Sequence, residues 1–237
     1  MPGKRLVILI AVLAVFSTFL LFLYSIQIKP EFVQLSAIGK EHMGKTIITE
    51  GYLGSFRIRE TYAQGKIVDF ETLANISFYA SGDAFQVFRD ENLLPGSKLR
   101  LTGEIKEYNG VLEICLVKRE SIEILETPIN LNMSIAQILV NPHIFSDVYL
   151  NTYGKIVSIT YIRNSTAGKL AGTEIEISDA GYTLTCFAPD VYVSHDAKGK
   201  TLNKGEIVRI FGEFRYNEHY GKWNLIFADE NAICAYT

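Results

Sequence analysis

Two hydrophobic patterns divide the chain. Residues 6–28 (LVILIAVLAVFSTFLLFLYSIQI) carry no charge, with only Ser17, Thr18, Ser25 and Gln27 as polar positions of any size. As a helix this stretch would span about 34 Å against a hydrocarbon core of about 30 Å, and it lacks the short apolar region and small-residue cleavage site of a signal peptide. It reads as a single N-terminal transmembrane helix, closed by Pro30. From residue 45 onward the pattern has period two: runs rich in β-branched and aromatic residues, separated by turn residues, as in half-buried strands.

The second region reads twice. Thr49-Glu50-Gly51-Tyr52-Leu53 matches Thr152-Tyr153-Gly154-Lys155-Ile156, and the Leu99–Ile105 run (LRLTGEI) matches 208–214 (VRIFGEF). Residues 109–114 (NGVLEI) likewise match 220–225 (YGKWNL), the offset growing from 103 to 111 as loops lengthen in the second copy. A period this long indicates a duplicated domain. The predicted division is an anchor over 1–29, a first domain over 30–126, a linker over 127–133 and a second domain over 134–237. Each copy opens with a short apolar stretch (32–38, 135–140) and a long first strand (47–59, 148–163). A central glycine in each long strand predicts a bend or bulge. The next strands are expected at 67–73 with 76–80, and at 173–178 with 182–187, followed by a long connection and a final hairpin.

Five strands, a bent first strand and a long third connection resemble the OB-fold, a five-stranded Greek-key barrel. The resemblance covers residues 45–125 and 148–235 and extends to the OB-folds of single-strand nucleic-acid-binding proteins. The fold class expected is therefore all-β: two tandem five-stranded Greek-key OB-fold barrels after one transmembrane helix. Alternation sends Leu99, Leu101, Gly103 and Ile105 inward, with Val208, Ile210, Gly212 and Phe214 as their counterparts. Leu112, Ile114 and Leu116 match Trp223, Leu225 and Phe227 in the same way, which makes Trp223 a packing residue.

Charge bears on what such barrels could bind. Two of the 23 basic residues (Lys4, Arg5) and none of the 26 acidic ones precede residue 29, so the remainder carries a net −5. If residues 67–73 form a strand, Asp69 and Glu71 face outward, as do Glu174 and Glu176 in the second copy. OB-folds that bind nucleic acid use that surface, and carboxylates there oppose a polyanion. Nucleic acid is thus disfavoured as a partner, although Tyr79 and Phe187 could stack. Basic and aromatic residues gather instead at Arg57 and Arg59 with Tyr62 and Lys66 nearby, at the Tyr108-Asn109 tip, and around Arg215, Tyr216, His219, Tyr220 and Lys222. These sites suit an anionic or sugar-like ligand, such as an oligosaccharide, or a protein partner. Lys98, Arg100 and Lys106 share one outer face.

No GxSxG, HExxH, Walker-A or GxGxxG run occurs, and His42, His143, His195 and His219 lack metal-ligand spacing. The expectation is a non-enzymatic, membrane-anchored binding or scaffolding protein without metal or cofactor. The basic residues ahead of the apolar stretch place the N-terminus in the cytoplasm and the barrels on the extracytoplasmic side. Three sequons, at Asn75, Asn132 and Asn164, agree with export. There Cys186 and Cys234 could pair, though spacing does not decide it. A membrane helix followed by an OB-fold and a C-terminal Cys234-Ala235-Tyr236 also resembles the haem chaperones of cytochrome c maturation. That resemblance implies haem attachment at Cys234, although those proteins have three residues rather than one before the tyrosine and a single barrel.

Overall fold

The computed structural model describes residues 10–20, 30–91, 93–163, 170–218, 220–229 and 231–235. Residues 10–20 form α1, whose large apolar side chains, among them Val15, Phe16 and Phe19, are exposed. The rest of the 6–28 stretch lies outside the described residues. Among the described residues no helix is long and apolar enough to cross a membrane.

The first barrel consists of β2 (Thr46–Ile58), β3 (Tyr62–Val68), β4 (Asn75–Ser81), β5 (Lys98–Tyr108) and β6 (Val111–Leu116). They pair in the order β2-β3-β4-β6-β5, and a β2–β5 pairing closes the ring. The short strands β1 (Glu31–Phe32) and β7 (Ile122–Glu126) flank it. The second barrel repeats the order with β8 (Val148–Arg163), β9 (Leu170–Asp179), β10 (Tyr182–Pro189), β12 (Lys222–Phe227) and β11 (Ile207–Asn217), closed by β11–β12 and extended by β13 (Ile233–Ala235). First, second, third, fifth, fourth is a Greek-key order, and the barrels are OB-fold-like.

Strand alternation fills both interiors as expected. Leu99, Leu101, Ile105, Val208, Ile210 and Phe214 are wholly buried. Trp223 packs on the second core, its indole stacked on Phe214 at 5.0 Å and 6°. The repeated glycines mark close approaches. A Cβ at Gly103 would lie 2.6 Å from the Cys115 carbonyl oxygen, and one at Gly212 would strike the Ile226 carbonyl, so each fourth strand crosses the fifth where only glycine fits. At Gly51 and Gly154 a Cβ would meet Leu35 and Ile135, residues of the short helices that close each barrel end. The bulges themselves come later, between Leu53 and Phe56 and between Ile156 and Ser158. The central glycines therefore admit a plug residue rather than kink the strand.

The copies differ in what fills the third connection. In the first it forms α2 (Gly82–Asp90), whose Phe88 stacks on Phe78 of β4 at 4.9 Å. In the second it is an irregular loop organised by Asp196, which is almost wholly buried. Its carboxylate accepts from the amides of Lys200 (2.8 Å), Lys198 (2.9 Å) and Ala235 (3.1 Å), tying the loop to β13. The segment entering the second barrel contains α3 (Ile135–Val140), opened by a reciprocal Ser134–Gln137 capping box.

The sequence pattern misplaces the second strand of the first copy. It runs over Tyr62–Val68 and not 67–73, because Asp69 turns the chain. Its Oδ1 accepts from the Glu71 amide at 2.9 Å, its Oδ2 accepts from the Thr72 hydroxyl at 2.7 Å, and Leu73 takes a φ of 63°. This side-chain turn aims Phe70 out of its own barrel. Phe70 stacks on Tyr52 at 5.0 Å and on Phe145 at 4.6 Å, so it joins the core of the second barrel together with Val68. Leu131 and Met133, in the segment expected as a linker, are buried in that core too. A hydrogen bond from the Tyr149 amide to the Pro95 carbonyl (3.0 Å) adds to the contact.

Phe70→Ala removes both stacks and is expected to cost about 3–5 kcal/mol, with urea unfolding splitting into two transitions as the barrels uncouple. Asp196 yields a pH prediction. Its three amide donors, that of Lys200 foremost, hold its carboxyl below the ordinary value. The stabilisation is present above the unfolded-state pKa and is lost as pH falls through the lower folded one. Asp196→Asn should therefore melt below the native chain at neutral pH, and the gap should narrow as acidification passes below about pH 4.

Candidate functional site

Moving the second strand to Tyr62–Val68 changes the outer surface of the first barrel. Ala63 and Ile67 point inward, so Tyr62, Gln64 and Lys66 face outward. Across the ladder Lys66 pairs with Ser77 and Gln64 with Tyr79, and on its other side Gln64 pairs with Arg57 of β2. Tyr62 lies diagonally from Tyr79, and their rings stack at 5.2 Å and 29°. Arg59 sits in the β2–β3 hairpin, where its amide donates to the Tyr62 carbonyl at 2.8 Å. The surface thus carries a stacked tyrosine pair beside Arg57, Arg59 and Lys66. None of these three cations makes an ion pair among the described residues. Asp69 and Glu71 are not on this face, since they belong to the turn beyond β3. Glu113 of β6 lies beside Ser77 in the next row, and its neighbour across the ladder, Lys106, makes its ion pair with Glu104.

The second barrel keeps its acids where the alternation puts them. Glu174 and Glu176 face outward on β9, paired with Phe187 and Thr185 of β10. Lys222 reaches Glu174 at 3.5 Å and the Thr185 hydroxyl at 3.3 Å, while the Ser158 hydroxyl donates to Glu176 at 2.9 Å. Phe187 lies over Gly172, where a Cβ would meet its ring at 2.6 Å. The equivalent surface of the two copies is therefore cationic and aromatic in one and carboxylate-bearing in the other, where Lys222 offsets Glu174 alone.

The residues grouped at the hairpin tips do not form one site. Tyr108 is 66% exposed at its tip, and Asn109 (φ 51°) with Gly110 (φ 80°) forms the two-residue turn beside it, so Asn109 is there for its backbone. Tyr216 turns toward Trp223, with ring centroids 5.1 Å apart, whereas Lys222 points to the β9 face. Tyr220 is exposed, with its ring 6.0 Å from the Lys222 ammonium. His219 lies outside the described residues. Arg215 is held by Glu213 at 2.7 Å and Asp147 at 3.6 Å, and these hydrogen-bonded acids keep its guanidinium firmly charged. Lys98, Arg100 and Lys106 are likewise matched, by Glu126, by Glu50 with Glu123, and by Glu104.

The docking of the barrels creates a feature with no signature in sequence: a cleft of about 990 Å³ between them. Arg57, Lys66, Ser77 and Glu113 line it from the first barrel, and His143, Tyr149 and Arg215 with the acids Asp147 and Glu213 from the second. Burial, and then the nearby Glu213, push the Tyr149 phenol above its ordinary pKa, so it stays a hydrogen-bond donor at neutral pH. Neither His143 nor Tyr149 stands out in the linear pattern, because each gains meaning only from the facing barrel.

Haem does not fit the surroundings of Cys234. Among the described residues it pairs on β13 with Arg209, whose other neighbour Tyr153 donates to Asn132 at 2.8 Å, a polar setting for a porphyrin. Tyr236 lies outside the described residues. Cys115, Cys186 and Cys234 are free thiols, with Cys186 wholly buried in the second core. No group of three or more potential metal ligands occurs among the described residues.

No family model matches the chain, and no curated protein matches it in sequence. Solved structures match in three dimensions. One described as an aspartyl-tRNA synthetase from Leishmania major Friedlin aligns at 13% identity over 42% of this chain and 21% of that one, with a TM-score of 0.36. The S. pombe Stn1–Ten1 complex aligns at 16% identity over 37% of this chain and 57% of that one, with a TM-score of 0.28. A structure described as structural mimicry for functional antagonism aligns at 10% identity over 80% of this chain and 92% of that one, with a TM-score of 0.32. The matched part of the chain thus spans about a fifth of the first of these structures and just over half of the second. Likeness at these scores bears on neither ligand nor activity, and the assignment of OB-fold-like barrels stands on the strand pairings.

Proposed function

We propose that this chain is a non-enzymatic, membrane-held binding protein whose first barrel takes single-stranded nucleic acid on its β3–β4 face. The observation that carries this reading is the Tyr62–Tyr79 stack flanked by Arg57, Arg59 and Lys66. Bases stack on aromatic rings whatever their sequence, and adjacent cations replace the counterions that a phosphate backbone sheds. The overall negative charge is no obstacle, because the carboxylates lie mainly on other surfaces and many already hold a partner cation. Attachment to the membrane is assigned to the uncharged 6–28 stretch. The all-round apolar surface of α1 supports this, since such a helix is stable only when buried or in lipid. The barrels are assigned to the extracytoplasmic side by the charges that precede the stretch.

Binding is tested with the full chain in detergent and a fluorescent oligothymidylate at low salt, where electrostatic attraction is strongest. Tyr79→Ala should weaken binding by about 1–3 kcal/mol. Lys66→Ala and Arg57→Ala should each lower the slope of log K against log salt by about 0.7. Glu176→Ala, on the second barrel, should change neither. Absence of any anisotropy change at micromolar protein rejects the reading. For the anchor, the chain should stay in the membrane pellet through an alkaline carbonate wash, and release into the supernatant would refute it.

A further inference from the structure

The two walls of the inter-barrel cleft differ in a way that suggests a division of labour. Arg57 and Lys66, on the first-barrel wall, make no ion pair among the described residues, and they outnumber the one carboxylate on that wall, Glu113. On the second-barrel wall Arg215 is neutralised by Glu213 and Asp147, so that wall offers no spare positive charge from this residue. It offers rings instead. His143 is exposed within a short helical turn, and its imidazole is set edge-on to Trp223 at 5.2 Å and 83°. Trp223 is itself clamped against Phe214, so the His143 ring rests on a rigid support. Tyr149 stands half-buried on the same wall.

We infer that the cleft is the continuation of the first-barrel site, in which the phosphates of a single strand follow Arg57 and Lys66 while its bases lean onto His143 and Tyr149 of the second barrel. This rests on the nucleic-acid reading above and adds a second, base-contacting half to it. The cleft is at the top of the ~300–1,000 Å³ range of pockets that enclose small ligands, so it holds a short run of nucleotides where one base would leave it largely empty. The arrangement also gives the second barrel a role that its acidic β9 face does not, because the cleft approaches it from another side. A base wall without free cations adds affinity by stacking but contributes no counterion release.

That separation is the test. Oligothymidylate binding to the full chain in detergent is measured across a salt series for the native protein, His143→Ala, His143→Phe and Lys66→Ala. His143 is exposed and its removal leaves the Phe214–Trp223 stack in place, so an unchanged melting temperature is expected to accompany the loss of affinity. His143→Ala should weaken binding about 5- to 100-fold, and His143→Phe, which keeps a ring, should retain most of the affinity. Lys66→Ala should lower the slope. If the oligonucleotide binds and responds to Lys66→Ala but not to His143→Ala, the cleft inference is overturned while the first-barrel site stands. If the native chain binds no oligonucleotide at low salt, both fall together.

Discussion

The architecture turns on one aromatic wedge. Phe70 leaves the barrel that its strand helps to build and completes the core of the other, between Tyr52 and Phe145. Two closed barrels joined by a short segment would by default move independently, since interfaces between domains of one chain are commonly small and polar. Here the exchange of a core residue, together with Val68, Leu131 and Met133, makes the interface part of a hydrophobic interior. The cost of separation is then that of opening a core. The aim of Phe70 is set in turn by hydrogen bonds to one carboxylate, that of Asp69, which shows how a short polar turn can govern the placement of a whole domain.

Duplication supplied two copies of the same scaffold, and the constraints of closure have kept their interiors alike. Gly103 and Gly212 occupy the same crossing, Gly51 and Gly154 admit the same kind of plug, and the inward residues of the fourth and fifth strands correspond one for one. No such constraint acts on the outer faces. There one copy has accumulated tyrosines and unpaired cations, and the other carboxylates, of which Glu174 is paired with Lys222 and Glu176 accepts from the Ser158 hydroxyl. Net charge averages over these surfaces and therefore says little about either. What a ligand meets is the local field within a Debye length of about 8–10 Å.

The residues that could form a site are partly legible in the amino-acid order. Arg57, Arg59 and Tyr79 stand out as cations and an exposed aromatic, and all three lie on or beside the β3–β4 face. Their relation to one another is hidden by a shift of five residues in the start of one strand. The doublet Ile67-Val68, followed by Phe70, imitates the alternation of a strand continuing to residue 73, whereas the side chain of Asp69 ends it. That shift puts Asp69 and Glu71 on a face they do not occupy and leaves Gln64 and Lys66 off the strand, although Tyr62 and Lys66 already stand near Arg57 and Arg59 in the amino-acid order. The hairpin cluster fails for a different reason: Arg215, Tyr216 and Lys222 are close in sequence but point in separate directions along one ladder.

From the amino-acid order alone came the duplication, the two-residue periodicity, the inward faces of the fourth and fifth strands and the uncharged N-terminal stretch. All of these are local or repetitive, and strand parity or composition suffices to read them. Only the tertiary structure decided that Phe70 serves the opposite barrel, that Tyr62 stacks on Tyr79 and that His143 and Lys66 line one cleft. Each of these depends on where a turn releases the chain and how two closed barrels dock. Those outcomes are settled by contacts between residues far apart in sequence, which no periodicity encodes.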